Sequence, residues 1–289
     1  MNKTYLNMSV SIFEIITFYS RNGLFQSKHN YLDKFKNLEW FYQFDEITID
    51  IVHDYCTYRQ LDGVKNSTIN RELHVIKSAF NYYLKHKHNS NFKNPFNGFK
   101  LFEQDFIPRF LNANECVQIL QSSKKYNNHR LHDYILLLLN TGCRSGELLS
   151  LTWDNVFINE KYFIVRNSLS KNKKTVYKPL NDASIYALLR LKKHKKYVFY
   201  NENTNHHVKS FRRGWKCAVD RAEIGHVRIH DLRHTFASFL IKQGIPLYHV
   251  SQLLGHSDTR ITQRYAHLAP ENLHECLNVL PQLTQDYKS

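Results

Sequence analysis

The sequence has little glycine and comparatively few acidic residues. Only 9 of its 289 residues are glycine, whereas 14% are aromatic. This composition argues against a disordered or glycine-rich RNA-binding tail and favours a compact, largely helical protein. Lysine and arginine number 40 against 25 acidic residues, so the formal net charge is +15. That charge suits a polyanionic partner, although charge alone leaves an ordinary basic protein as an alternative of about equal weight.

Four further absences limit the kinds of protein that this chain can be. The five cysteines lie far apart, form no Cys-x-x-Cys pair and are interpreted as ordinary reduced thiols. No apolar run reaches the roughly 20 residues that span a bilayer, and no signal peptide is recognised at the start. No Gly-x-x-x-x-Gly-Lys loop for nucleotide phosphates is found. We therefore expect a cytoplasmic protein with access to DNA.

The first hundred residues predict a small bundle of helices. Apolar residues recur at helical spacing in residues 11–19 and again in residues 48–60. A third amphipathic helix follows, with Ser67 and Thr68 as its expected caps. Residues 85–94 are then basic and rich in asparagine and histidine, which favours a domain boundary nearby.

The domain organisation follows from this change of pattern. We predict a helical domain over residues 1–100, a linker at residues 101–107 and a second domain over residues 108–289. Asn94 and Pro95 mark the exit from the first domain because this pair interrupts regular structure.

The second domain is predicted to contain both helices and strands. A very apolar run at residues 135–139 is too short to span a membrane and is interpreted as a buried core helix. The β-prone runs at residues 156–158, 162–165 and 175–177 predict a small antiparallel sheet, because a short polar turn separates the first two. Helices return from about Asn181. The expected fold class is therefore mainly α with a small antiparallel β-sheet.

Two segments of the second domain combine cations in a way that suits an anion. A glycine-bearing turn after the buried helix places Arg144 at the start of the next helix, where a guanidinium and backbone N–H groups converge. Helical spacing places His230 and Arg233 on one face, so both can contact the same phosphate. Taken alone, Arg144 is more often a surface or salt-bridged arginine. His230 and His234 are an alternative metal pair, which Arg233 between them disfavours.

Two later segments supply a histidine and a tyrosine. A predicted helix stops at Gly255 and presents His256 on the following turn. Tyr265 follows nine residues later, at the end of a polar helix predicted over residues 258–265. Taken singly, His256 is more often a solvent-facing residue, and any one of the 18 tyrosines is by default a core or surface residue.

The joint order of these residues resembles the signature of the tyrosine recombinase and integrase family, over roughly residues 108–280. The segments that carry the resemblance are Thr141-Gly142-Cys143-Arg144 with Glu147 and Leu148, His230-Asp231-Leu232-Arg233-His234-Thr235, Leu254-Gly255-His256, and Tyr265. The helical first hundred residues look like the core-binding domain of that family. The resemblance implies a helical core-binding domain and a mixed α+β catalytic domain that close as a clamp around DNA.

The resemblance also implies an enzyme of site-specific DNA recombination or integration, of the kind found in mobile genetic elements. Such an enzyme cleaves and rejoins DNA through a 3′-phosphotyrosine without ATP, metal or another cofactor. On the family's scheme the catalytic residues share one phosphate: Arg144 and Arg233 clamp it, His256 donates a hydrogen bond, His230 assists proton transfer and Tyr265 attacks.

The family uses one more cation, a lysine on a β-hairpin loop that acts as general acid. The distance from the Pro-Leu pair after the third predicted strand selects Lys171 for this role. Lys173 and Lys174 are close enough to keep the choice open. The sequence has Val176 and Lys178 where relatives often carry arginine and valine.

Leucines at helical spacing within residues 271–280 predict a helix after the tyrosine. The resemblance favours docking of this helix into a neighbouring subunit of a homotetramer assembled on two DNA sites. The alternative is a helix folded onto its own domain.

Alternative functions remain at this point. A type IB topoisomerase shares the tyrosine chemistry, and a non-catalytic DNA-binding regulator could keep the same fold; a basic metalloenzyme is the least favoured. The target sequence, the direction of the reaction, the oligomeric state off DNA and any accessory proteins stay open.

Overall fold

The computed structural model describes residues 12–22, 33–44, 47–87, 94–102, 108–124, 129–166, 175–191, 196–256 and 258–269. The chain divides into two compact units, Met1–Phe106 and Ile107–Ser289. None of the helices within the described ranges is long and apolar enough to cross a membrane.

The first unit is built from helices α1 (Ile12–Asn22), α2 (Ile49–Leu61) and α3 (Asn66–His86), with 3-10 helices at Asp33–Gln43 and Pro95–Asn97. Their apolar faces enclose a core rich in aromatic rings. At its centre the Phe41 ring lies 4.5 Å from that of Tyr55 and 5.7 Å from that of Phe96, centroid to centroid. The predicted helices near residues 11–19 and 48–60 are confirmed.

The helices of this unit differ in how their first turns are capped. The Thr48 side chain caps α2 by accepting a hydrogen bond from the Ile51 N–H at 3.3 Å. The prediction that Ser67 and Thr68 cap α3 is wrong, because the helix already begins at Asn66 and both side chains belong to its first turn.

The residues that follow Pro95 still pack against the core of the first unit. The Phe96 ring is buried, and Leu101 and Phe102 pack against the same core. The Asn70 side chain donates to the Phe102 carbonyl at 2.8 Å and accepts from the Phe102 N–H at 3.0 Å. This segment is therefore anchored to α3 by hydrogen bonds between a side chain and the backbone as well as by apolar contacts.

The second unit contains helices α4 (Ala113–Lys124), α5 (Arg130–Thr141), α6 (Ser145–Leu149), α7 (Asp182–Arg190), α8 (Arg212–Ala222), α9 (Asp231–Lys242) and α10 (Leu247–Leu254). The apolar run at residues 135–139 lies in α5, which packs against α4, α7 and α9. The predicted buried core helix is therefore confirmed.

Strands β1 (Val156–Phe157), β2 (Tyr162–Arg166) and β3 (Thr175–Pro179) form an antiparallel sheet in that order. A second, two-stranded sheet pairs β4 (Tyr200–Asn201) with β5 (His206–His207) and was not predicted. The architecture is mainly helical with small antiparallel sheets, so the predicted fold class is confirmed.

The segment around the tyrosine differs from its prediction. In place of one helix over residues 258–265, the chain forms 3-10 helices at Thr259–Ile261 and Gln263–Leu268. Hydrogen bonds to the third preceding residue produce this tighter winding, as from the Tyr265 N–H to the Thr262 carbonyl at 3.0 Å. Tyr265 lies inside the second 3-10 helix and is buried in a small apolar cluster with residues of α9 and α10.

Candidate active site

Arg233 lies at the centre of the candidate site, on α9. Its side chain is buried, and Nη1 donates to the Gly142 carbonyl at 2.8 Å. Gly142 ends α5 in the left-handed conformation, and a Cβ there would collide with the Phe236 ring of α9. Glycine therefore allows the turn after α5 to approach α9 closely. The buried Nη2 of Arg233 meets no hydrogen-bond acceptor within the part of the chain that the structure describes.

Arg144 follows that turn and precedes α6. The Glu147 carboxylate accepts from the Arg144 N–H at 3.0 Å and from its Nη1 at 2.8 Å. Burial acts to raise the pKa of Glu147, but these hydrogen bonds and the Arg144 charge bring it below its usual range. The Arg144 side chain stays about half exposed, at 45%. Arg144 is thus oriented by Glu147 while part of it faces solvent.

The two arginines lie close enough to influence each other. Burial, followed by the positive charge of Arg144, lowers the pKa of Arg233 to about 10. One carboxylate, that of Glu147, lies near both. The local charge is therefore positive, and an anion would relieve the repulsion between the two guanidiniums.

His256 follows the left-handed Gly255 that ends α10. Its Nδ1 forms a hydrogen bond with the Thr262 hydroxyl at 2.8 Å. Burial and the charges of Arg233 and Arg144 lower the pKa of His256 to about 4. The imidazole is therefore neutral at pH 7 and directed by a hydroxyl three residues before Tyr265.

Tyr265 is 2% exposed, and its hydroxyl forms a short hydrogen bond with Nδ1 of His234. Burial raises the pKa of Tyr265, and the charges of Arg264 and Arg233 oppose this only partly. Burial and the neighbouring His230 lower the pKa of His234 to about 4. A neutral imidazole therefore meets the phenol hydroxyl directly.

His230 lies at the start of α9, beside His234. The two rings meet edge to face with centroids 5.0 Å apart. Burial and the Arg233 charge lower the pKa of His230 below its ordinary value. The family resemblance assigned proton transfer to His230, whereas the residue that is hydrogen-bonded to the Tyr265 hydroxyl is His234; the role of His230 stays a prediction.

The structure brings together Arg144, His230, Arg233, His256 and Tyr265, which the sequence singled out. Lys171 and its alternatives Lys173 and Lys174 lie outside the described residues, so the choice of general acid stays a prediction.

Sequence reasoning overlooked three residues of this site. It gave no role to Glu147, although the carboxylate stands one helical turn after Arg144. It noted Lys178 only as a departure from the family, and it weighed His234 only as a metal ligand. Within the described ranges, no three His, Cys, Asp or Glu side chains gather as a metal site.

Comparison with known proteins identifies similar sequences. The profile of the phage integrase family matches residues 109–272. The integrase of Haemophilus phage HP1 is 30% identical over 250 residues, covering 82% of this chain and 69% of that protein. The integrase of Salmonella phage P22 is 29% identical over 180 residues, 58% of this chain. The matched region spans only 46% of the P22 protein, a little under half of its length.

A solved structure shares the fold. The integrase of transposon Tn1549, in complex with a circular intermediate DNA, superposes with a TM-score of 0.73 at 19% identity. The match covers 94% of this chain and all of that one. At this identity the likeness supports the fold and leaves chemistry to the site itself.

Proposed function

The chain belongs to the phage integrase family, and on that premise we propose that it is a site-specific DNA recombinase that cleaves and rejoins DNA through a 3′-phosphotyrosine at Tyr265. One observation carries the proposal. The buried Nη2 of Arg233 lacks an acceptor among the described residues and belongs to the same positively charged site as Tyr265. A DNA phosphate is the anion that would complete this site.

The proposed chemistry is displacement at a phosphodiester. The Tyr265 oxygen attacks phosphorus, the P–O bond to the 5′ oxygen breaks, and negative charge develops on the nonbridging oxygens and the leaving group. Arg144 and Arg233 stabilise the nonbridging oxygens and His256 adds a hydrogen bond. Lys171 is the proposed donor of a proton to the leaving oxygen.

The phenol must lose its proton as it attacks. Since the Tyr265 pKa is raised by burial, a neighbouring acceptor is required at neutral pH. His234 is neutral and bonded to the hydroxyl, so it can take this proton first. His230 packs edge to face against His234 and remains the residue to which the family's scheme assigns assistance in proton transfer.

The proposed reaction conserves the energy of the cleaved bond in the phosphotyrosine. A free 5′ hydroxyl can therefore attack the same phosphorus and reseal a strand without ATP. No step requires a metal, because fixed cations stabilise the charge that develops.

The proposed partner is double-stranded DNA. The net charge of +15 supports it, because contacts to phosphates supply most of the affinity and make it fall steeply with salt. The proposal includes three features that the family resemblance implies. They are two domains that close as a clamp around DNA, a homotetramer, and a docking helix at residues 271–280. That helix lies outside the described residues.

Covalent trapping tests the proposal. Wild type, Tyr265→Phe and Tyr248→Phe would be incubated with labelled, nicked duplexes that tile the DNA flanking the gene. Tyr248 is the matched control, since it is 61% exposed on α10. We expect a protein-linked fragment on denaturing gels with wild type and Tyr248→Phe, and none with Tyr265→Phe despite retained binding.

Other results would contradict specific parts of the proposal. An adduct formed by Tyr265→Phe would move the nucleophile elsewhere. Tight binding without an adduct in any variant would favour the non-catalytic DNA-binding regulator instead.

A further inference from the structure

Lys178 is a charged residue in an unusual place. It lies on β3 opposite Phe163, and its side chain is 1% exposed, among the largest that are fully buried. Lysine is almost never fully buried unless its charge is compensated, because removing an ammonium from water is costly. A valine or methionine would fill the position without that cost, so the surroundings of the ammonium group need an explanation.

The ammonium group lies at the end of α10. Nζ donates a short hydrogen bond to the Leu253 carbonyl, in the last turn of that helix. The last carbonyls of a helix have no partner within it and carry partial negative charge, so a cation there is stabilised. Lys178 thus compensates part of its own burial by capping α10.

Strand β3 contacts the end of α10 at a second point. A Cβ at Gly255 would come within 3.1 Å of Val176, which shows how closely this strand covers the helix end. The next residue is His256, whose ring is held by Thr262. The position of His256 therefore depends on the packing of β3 against α10, to which Lys178 contributes the polar contact.

Charged and titratable groups from several elements face Lys178. Cys143, Arg144 and Glu147 come from the turn after α5 and from α6, Arg233 comes from α9, and His256 follows α10. Glu147 is the single carboxylate of this described set. The ammonium group consequently increases the positive potential that the two guanidiniums create.

We propose that Lys178 is a positioning residue of the active site, which ties the end of α10, and with it His256, to β3 and adds its positive charge to those of Arg144 and Arg233. The inference rests on the proposed function, because it assigns this charge to the binding of the scissile phosphate. It differs from the role of Lys171, which would act directly on the leaving oxygen.

The protonation state of Lys178 allows the proposal to be tested through the pH dependence of the cleavage rate. Burial lowers the pKa of Lys178 to about 8, from an ordinary value of 10.5. Burial raises the pKa of Cys143 to about 12, whereas it lowers that of Arg233 to about 10 and that of His256 to about 4. Among Lys178, Cys143, Arg233 and His256, Lys178 is therefore the group whose charge changes most between pH 7 and 9. The cleavage rate should fall as the ammonium is lost.

The test compares Lys178→Met with wild type and with Lys161→Met. Lys161 is a suitable control because its side chain is exposed. Its ammonium group forms a surface ion pair with Asp182 at 3.3 Å. Single-turnover cleavage of a nicked suicide duplex would be measured from pH 6.5 to 9.5. We expect Lys178→Met to cleave on the order of tenfold more slowly at pH 7. Its decline between pH 7 and 9 should be shallower than in wild type and Lys161→Met.

Thermal unfolding separates positioning from a merely structural role. Because the folded-state pKa of Lys178 lies below the unfolded one, burial of the ammonium opposes folding below pH 8 and this cost fades as the pH rises towards 10.5. Lys178→Met should therefore keep or exceed the wild-type Tm at pH 7 while it loses rate.

Two results would overturn the inference while leaving the proposed function intact. One is a Lys178→Met rate and pH profile equal to those of Lys161→Met. The other is a loss of rate that parallels a loss of Tm. No covalent adduct with the wild-type protein would instead overturn the proposed function, and this inference with it.

Discussion

Each unit contains a buried arginine, and the two differ in how their charge is compensated. Arg59 in the first unit is 7% exposed and bonds the Glu72 carboxylate through Nε at 3.1 Å and Nη2 at 3.0 Å. The Tyr55 hydroxyl donates to the same carboxylate at 2.7 Å. Arg233 in the second unit is 4% exposed, donates to an uncharged carbonyl and leaves Nη2 without an acceptor among the described residues.

The difference separates a structural charge from a functional one. Burying a charge costs several kcal/mol unless a partner compensates it. The first unit supplies the partner from its own sequence, so its arginine is complete without a ligand. In the second unit the cations Arg144 and Lys178 lie near Arg233, and within the described ranges the Glu147 carboxylate interacts with all three. A buried positive charge that its neighbours compensate only in part therefore indicates where an anion is expected. Burial of the charge alone does not.

The largest effect tests the structural side of the comparison. Arg59→Met should lower the free energy of unfolding of the first unit by about 3–5 kcal/mol, because it leaves the Glu72 carboxylate buried and unpaired. Hydrogen–deuterium exchange in urea, followed separately in α3 and α9, would measure it. The double variant Arg59→Met/Glu72→Gln is the control and should recover part of the loss. Unchanged hydrogen exchange in α3 would contradict the claim that Arg59 has a structural role.

A somewhat smaller effect tests the functional side. Arg233→Met should slow single-turnover DNA cleavage between about a hundredfold and a thousandfold, as does loss of an oxyanion-hole donor. Its Tm should stay the same or rise, because an incompletely paired charge is removed. Arg221→Met, an exposed arginine at the end of α8, is the control for loss of charge alone. If Arg233→Met lowered the Tm but cleaved normally, the site would be structural.

The smallest effect concerns pH. The pKa values of His234 and His256 are lowered from 6.5 to about 4, so between these values the unfolded chain binds more protons than the folded one. Stability of the second unit should therefore fall as the pH drops from 7 to 5, by roughly 2 kcal/mol from the buried His234 alone. Exchange in α9, measured at both pH values, would report this decline.

A matched variant sharpens the pH comparison. His234→Asn keeps a polar partner for Tyr265 but cannot titrate, so the decline in α9 should become shallower. An equal decline in wild type and variant would show that His234 does not cause it, and an equal decline in α3 would show that it is not specific to the second unit.

Much of the fold could be predicted because its signals are local. The apolar run of α5, the β-prone run of β2 and the glycine that ends α10 each depend on near neighbours in the chain. The pair β4 and β5 escaped prediction, since strands of two residues have no period to detect. The 3-10 helices around Tyr265 were mistaken for one α-helix, because both conformations fit the same short polar pattern.

The sequence by itself determined which residue types form the candidate site, since the order and spacing of Arg144, Arg233, His256 and Tyr265 are visible in the linear chain. Tertiary structure alone decided what surrounds them. Tyr265 meets His234 across 31 residues, and Lys178 meets Leu253 across 75. Burial and charge compensation depend on which distant segments pack together. The pKa shifts, and an Arg233 nitrogen that has no acceptor among the described residues, therefore arise only in the folded protein.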